Sequence, residues 1–439
     1  MAPLLRCLIN LLAPRGVHRV IAISVMMLLV RPTCADDWPQ WRGPSRDGAW
    51  TETGISETFP QAGLTARWRV PVGWGFSSPV IAQGRVYLTD AELVGLKARE
   101  RVLCFSEETG KPAWSHAIDV PYAETGFIDE NNKSGPVATP IVRDGKLYTL
   151  GRCGHLFCFD AASGEVLWRK DLGKEYPAKP LSCNASPLIE GELLILFIGA
   201  RPGACVVALD RTSGAEVWKA LDETATSSSP IVVTAGGVRQ LIVWTQESVT
   251  SLDPATGKAH WRQRLATNSD YVVATPVVRD DLLLISGLMM KLDRDKAAAS
   301  VLWPQSRAVA GRVLSNTSTP LILGDCVFSA KSSGQLVCLD AATGEQLWET
   351  DKVTALKGGA SIHLTPSGGS VLLYSDRGEL IRARLGHDGY HELGRASLID
   401  PTYPFGDRKC AWSPPAYANG HVFVRSDAQL ACFPLAAKP

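Results

Sequence analysis

Eight short stretches, each just ahead of a Ser/Thr-Pro step, hold most of the side chains here that could bind or react: VGWGFSSP, DENNKSGPVATP, PLSCNASP, TATSSSP, TNSDYVVATP, VLSNTSTP, GGASIHLTP and GDRKCAWSPP. They supply Trp74, Phe76, Asn132, Lys133, Asn184, Asn268, Asp270, Tyr271, Asn316, His363, Arg408 and Trp412. A hard cation such as calcium takes about six to eight oxygen ligands. Asn184, Asp270 and Asn316 are the donors suited to it, and Asp270 is the carboxylate best suited to act as a base. The competing reading is structural, because Asn, Asp and Ser ahead of strands satisfy backbone groups whatever the function.

Other reactive patterns carry less. In CGHLFC, alternation along a strand sends His155 and Cys158 to opposite faces, so they cannot share a tetrahedral ion. HDGYH at His387 to His391 reads as a hairpin turn by the same geometric test. Asn184-Ala185-Ser186 and Asn316-Thr317-Ser318 match the glycosylation sequon, yet Pro187 follows the first and both stand ahead of buried strands. The chain has no G-x-S-x-G, H-E-x-x-H or phosphate-loop string, so those mechanisms have no support.

What positions these stretches is a repeat. DAASGEVLW from Asp160, DRTSGAEVW from Asp210, DPATGKAHW from Asp253 and DAATGEQLW from Asp340 share one spacing, and SEETGKPAW from Ser106 follows it with Ser in first place. Each string follows an alternating stretch and, before that, a Pro step opening an apolar run. One unit is therefore a four-stranded antiparallel meander. Asp accepts from N–H groups two residues on, and Gly supplies the positive φ of the hairpin. A unit of about 40 residues cannot bury both faces of its sheet, and a ring of units solves that. Trp68, Trp114, Trp168, Trp218, Trp261 and Trp348 are the expected wedges between neighbours.

Units start near Ser77, Ala138, Ala185, Ser228, Ala274, Ser318, His363 and Ser413, the fifth and seventh being degenerate. The eighth stops without an outer strand. TARWRVPVG from Thr65 carries Trp68 in a matching setting and can supply it, removing the open edge of the ring. The prediction is all-β: an eight-bladed β-propeller of four-stranded antiparallel blades, closed by an N-terminal strand at about residues 65 to 72. Seven blades is the alternative.

The repeated D-x-x-[TS]-G-x-x-x-W strings resemble the PQQ-binding-like β-propeller family, from about Thr65 to Pro434. One branch, the quinoprotein alcohol dehydrogenases, holds pyrroloquinoline quinone (PQQ) with Ca2+. That resemblance implies Trp74, Tyr271 and Trp412 as an aromatic floor, Asn184, Asp270 and Asn316 as cofactor and metal contacts, and Asp270 as catalytic base. The other branch contains BamB-like outer-membrane assembly propellers, which bind protein partners. The dehydrogenases are longer and carry a Cys-Cys disulfide that this chain lacks. The favoured expectation is an exported non-catalytic scaffold without a cofactor, binding protein partners or envelope glycans; a dehydrogenase of alcohols or sugars is the alternative.

Residues 1–35 read as a signal peptide: basic residues, an eleven-residue apolar run from Val20 to Val30, then a small-residue site ending at Ala35. That run is shorter than the roughly 20 residues of a spanning helix, so no transmembrane span is expected in the mature chain. Periplasmic or extracellular localisation follows. With 45 basic and 44 acidic residues, no nucleic acid or anionic membrane surface is called for, and a monomer is expected. Beyond the leader lie nine cysteines. Cys104, Cys158, Cys338 and Cys432 share one repeat position with Ala208 and Ser251, which marks a small buried slot and not a disulfide framework. Residues 36–64, opening DDWPQWRGPSRDG, read as a clasp ahead of the propeller domain at 65–439. Trp38 and Trp41 are expected on an outer or lower surface, with Arg42 and Arg46 capping carbonyls or pairing with Asp47.

Overall fold

The computed structural model describes residues 36–127, 133–176, 181–267, 272–304 and 314–437. The leader, residues 1–35, lies outside them. Short apolar runs broken every few residues by Gly, Asp or Pro leave no room for long helices, and the described helices are single turns at Tyr122–Thr125 and Leu172–Glu175. Among the described residues, no helix is long and apolar enough to cross a membrane.

Eight antiparallel sheets of four strands form the blades of a propeller, and the alternative of seven falls away. Their first strands are Val80–Ala82, Ile141–Arg143, Leu188–Glu190, Ile231–Ala235, Val277–Arg279, Leu321–Leu323, Ile362–Ser367 and Ala416–Ala418. In blades 1 to 7 the strands follow in chain order. In blade 8 the fourth strand is Trp68–Pro71, paired with Gln429–Pro434 in the register Trp68↔Cys432 and Pro71↔Gln429. An additional hairpin, Tyr403–Phe405 with Arg408–Cys410, stands between blades 7 and 8.

The core lies between blades. Val80, Tyr87 and Cys104 of blade 1, for example, pack with Val142, Leu147, Phe157 and Phe159 of blade 2. The repeated strings explain this docking residue by residue. Trp114 donates its indole N–H to Ala161 O in the next blade at 3.1 Å and lies over Gly164, where a Cβ would stand 2.5 Å from the ring. Trp68 over Gly110, Trp168 over Gly214 and Trp218 over Gly257 repeat the arrangement, with bonds of 2.8, 3.2 and 3.1 Å to Glu107 O, Arg211 O and Pro254 O. Trp348 bonds Gly386 O of blade 7 at 2.8 Å. In blade 5 Met289 faces Trp303; in six other blades the residue paired with the Trp is small: Cys104, Cys158, Ala208, Ser251, Cys338 or Cys432. That slot leaves the indole free to lean onto its neighbour, and all nine described cysteines are free thiols.

Trp261 differs. Blade 5 has Ala297 where the string has Gly, so no bare backbone receives the ring. Its N–H turns instead to Gln240 Oε1 of its own blade at 2.8 Å. Lys296 of blade 5 compensates by setting its backbone against Gly236, where a Cβ would lie 2.2 Å from Lys296 O. Trp303, ten residues after Asp293 and hence off the repeat spacing, does dock: it lies over Gly344 and bonds Ala341 O at 2.9 Å.

The Ser/Thr-Pro steps also link blades. Ser78 N donates to Thr139 Oγ1, Thr139 N to Ser186 Oγ, and Ser186 N to Ser229 Oγ, each at 3.0 Å. Thr275 N continues the pattern onto Thr319 Oγ1 at 3.1 Å. Each hydroxyl satisfies a buried amide of the preceding blade, a need that recurs because a buried unpaired N–H costs about 1–3 kcal/mol.

Candidate functional site

The central channel is the natural place for a propeller's ligand, and DDWPQWRGPSRDG occupies it. Pro39 and two reversals, with Arg42, Gly43, Arg46 and Gly48 all at positive φ, fold this stretch into a compact knot. At Gly48 a side chain has no room, since a Cβ would stand 2.6 Å from Arg42 Nη2. The backbone of Trp38 pairs with Ile81 of blade 1 through two bonds of 2.9 Å, and Val142 N of blade 2 donates to Pro39 O at 2.8 Å. Arg46 reaches blades 3 and 4, donating to Pro187 O at 2.8 Å and Pro230 O at 3.1 Å. Trp41 Nε1 donates to Thr275 Oγ1 of blade 5 at 2.9 Å. Trp50 N bonds Pro366 O of blade 7 at 2.9 Å, and its ring stacks on Tyr417 of blade 8 with centroids 5.3 Å apart. Glu52 accepts from Asn419 N and Gly420 N at 2.6 and 2.7 Å.

Trp38 and Trp41 are therefore buried inside the ring, 3% and 7% exposed, and not on an outer or lower surface. The reason is that the inner-strand edges and the Thr275 hydroxyl face the channel and have partners to offer there. Arg46 caps carbonyls as expected, and Arg42 Nη2 bonds the backbone of Asp47 at 2.6 Å. Burial lowers the Arg46 guanidinium to about 9, with the neighbouring Arg42 charge adding to the effect. Burial likewise lowers Arg42 to about 10 against the pull of Asp47. Both remain cations near neutral pH.

The described mouth residues each have local partners. Asp270 and Tyr271, with Asn132 and Asn268, lie outside the described residues. Asn184 Nδ2 donates to Ser227 Oγ at 3.1 Å, while Asn316 Oδ1 accepts from Ser286 Oγ at 3.3 Å and Asn316 O takes Val273 N and Ala274 N. Trp74 bridges to Ala91, with the Lys133 ammonium 5.3 Å from its ring centre. Trp412 sits among Phe76, Tyr403 and Phe405, its centroid 4.7 Å from that of Phe405. Arg408 bonds the buried Asp376 at 2.6 Å. Of the described mouth residues only His363 lines the cavity beside the clasp, a space of about 30 Å³. That is room for two or three water-sized spheres. A tricyclic quinone does not fit it, and the described candidates do not converge into a calcium set. The sequence marked Arg46 as a carbonyl cap but not its place in the channel, and did not mark Trp50, because their partners are more than 100 residues away.

Two further clusters complete the picture. His387 Nε2 lies 2.9 Å from Asp325 Oδ1 across blades 7 and 6, beside the buried Cys326. HDGYH forms the expected turn, closed at Gly386↔Gly389, with His391 Nε2 2.9 Å from Asp388 Oδ2. Blade 1 carries a long hairpin, Arg85–Val94 with Lys97–Ser106, whose tip leaves Val94 76% and Leu96 57% exposed.

Comparison with known proteins gives this geometry relatives. A family model described as outer membrane protein assembly factor BamB matches residues 50–201 and 202–387. BamB of Shewanella oneidensis is 27% identical over 259 residues, which cover 55% of this chain and 62% of that protein. The chain thus spans less than two thirds of the length of that relative. Quinohemoprotein alcohol dehydrogenase ADH IIB of Pseudomonas putida is 28% identical over 153 residues, 31% of this chain and 21% of that enzyme. Among solved structures, BamB from Moraxella catarrhalis aligns with a TM-score of 0.57 at 18% identity, covering 84% of this chain and 99% of that one. The quinohemoprotein alcohol dehydrogenase of Comamonas testosteroni aligns at 0.61 with 14% identity, covering 92% and 81%. At these identities the two structures share the fold, which the dehydrogenase and the assembly factor have in common.

Proposed function

This chain belongs to the family described as outer membrane protein assembly factor BamB, and from that membership we propose that it is an exported, non-catalytic β-propeller scaffold whose partners are proteins of the cell envelope. The observation that carries the reading is the filled channel: where a quinoprotein needs an open pocket, this chain has its own Trp41, Arg46 and Trp50. A propeller closed at its centre binds through its rim and loops. The apolar tip Val94-Gly95-Leu96 is the surface element best suited to that use, since exposed apolar side chains on a projecting hairpin favour a protein partner.

A photo-crosslinking residue at Leu96, compared with one at the exposed Lys258, tests this in envelope membranes. The expected result is a Leu96-dependent adduct with a protein of outer-membrane assembly, and none from Lys258. Saturable binding of PQQ with Ca2+, accompanied by dye-linked oxidation of alcohols, would overturn the reading in favour of the dehydrogenase. Sequencing of the mature N-terminus is expected to start at Asp36.

A further inference from the structure

The cavity beside the clasp has an unusual lining. Trp41, Arg42, Ser78, Thr317, Thr319 and His363 contribute to it, and no carboxylate does. Arg42 and Arg46 bring two positive charges into this part of the channel. Their hydrogen-bond acceptors are neutral oxygens: Asp47 O for Arg42, and Gln40 Oε1, Ser186 O, Pro187 O and Pro230 O for Arg46. The Nε atoms of both arginines are buried without a partner, as is the hydroxyl of Ser78, a residue 3% exposed. Thr319 Oγ1 already accepts from Thr275 N, which leaves its proton to donate. Asp47 offsets part of the Arg42 charge from outside the lining, but cations and hydroxyl donors bonded only to neutral oxygens still leave a site of positive potential, and burial magnifies the attraction it exerts on a negative ion.

We propose that this cavity binds one small monovalent anion, a halide or a carboxylate the size of formate, held by Arg42 and Ser78 where the clasp meets the ring. Size points to the class, because room for two or three water-sized spheres suits a halide or formate best. His363 contributes shape and not charge. Its Nε2 lies 3.0 Å from Trp412 O, and burial, together with the Arg42 charge and against the pull of Asp376, lowers it to about 4. The bound anion would neutralise part of the charge that the clasp carries inward, so its presence favours the seated clasp.

The full mature chain tests the proposal. Melting curves are recorded in sodium chloride, sodium formate and sodium gluconate at matched ionic strength, and crystals are soaked in sodium bromide. Expected are a saturable rise of roughly 2–4 °C with chloride or formate over gluconate, and an anomalous bromide peak beside Arg42. Arg42→Met abolishes the difference and Ser78→Ala reduces it. Superimposable chloride and gluconate curves with no bromide peak overturn the proposal. If Arg42→Met does not fold, Ser78→Ala and the bromide soak still decide.

Discussion

Trp114 and Gly164 meet across the boundary of blades 1 and 2, with the indole over a backbone that has no space for a Cβ. The contact makes the glycine of each string part of its neighbour's docking site as well as part of its own turn. Trp114→Ala is expected to cost roughly 3–5 kcal/mol. Gly164→Ala should destabilise as well, by at least about 1 kcal/mol from the left-handed φ alone. The double variant should cost less than the sum, because the added methyl enters space the indole has left. Urea unfolding of the four proteins measures the cycle.

Trp303 and Trp261 should behave unlike their strings. Trp303→Ala is expected to match Trp114→Ala in cost, although its spacing departs from the repeat. Trp261 depends instead on Gln240, whose Oε1 also accepts from Ser251 Oγ at 2.8 Å. Gln240→Leu leaves both donors buried without an acceptor, a loss of roughly 2–4 kcal/mol from two unsatisfied groups. The same change in Trp261→Phe should cost clearly less, and a thermal-melt series reads the difference.

Arg46 ties blades 3 and 4 through one side chain. Arg46→Met should lower stability by roughly 2–4 kcal/mol, since several carbonyls lose a charged donor. Arg46→Lys should recover little of it, because an ammonium cannot span carbonyls on two blades as the fork does. Hydrogen exchange at Leu188–Glu190 and Ile231–Ala235 should quicken in both variants.

Glu100 gives a pH dependence with a definite sign. It lies buried where Tyr122 Oη donates to it at 2.5 Å and Arg152 N at 2.8 Å. Burial raises its carboxyl above the ordinary range, against the opposing effect of those two donors. The folded protein therefore keeps this proton over a window in which the unfolded chain has lost it. Its contribution is fully present below the ordinary glutamate pKa and is lost as pH rises through the folded value. Glu100→Gln keeps the acceptor and should remove that part of the pH dependence, becoming more stable relative to the parent as pH rises. Denaturant unfolding at acidic and neutral pH compares them.

How much of this was legible in the sequence differs between ring and channel. The spacing from Asp160 to Gly164 to Trp168 recurs because one local geometry recurs, so blades, closure strand and most docking tryptophans could be read from it. Trp303 escaped since the turn before it is two residues longer. The hydroxyl links from Ser78 to Thr139 to Ser186 to Ser229 had a visible signal, the repeated Ser/Thr ahead of Pro. Their role needed the blades side by side. Arg46 and Trp50 carried no local signal, as their partners at Pro187, Pro230, Pro366 and Tyr417 are set by tertiary closure alone. Asn184 and Asn316, bonded to Ser227 and Ser286, carry an ambiguous signal for the opposite reason: turn chemistry places Asn ahead of strands whether or not a ligand exists.

The closure strand and the clasp also dictate an order of events. Synthesis produces residues 36–71 first, yet Glu52 waits for amides 367 and 368 positions later, and Trp68 for Cys432. The contacts of Glu52 and Trp68 are thus among the last to form, although both residues precede every blade. Until blade 8 exists, Trp68–Pro71 stays unpaired and Glu52 lacks its two amides, even where Trp38 has already joined Ile81 of blade 1. Assembly then ends in a locking step, in which Trp68–Pro71 pairs with Gln429–Pro434 and closes the ring. A chain interrupted before that step leaves an unpaired strand edge in the ring, so quality control of this protein amounts to a test of whether its last strand has arrived.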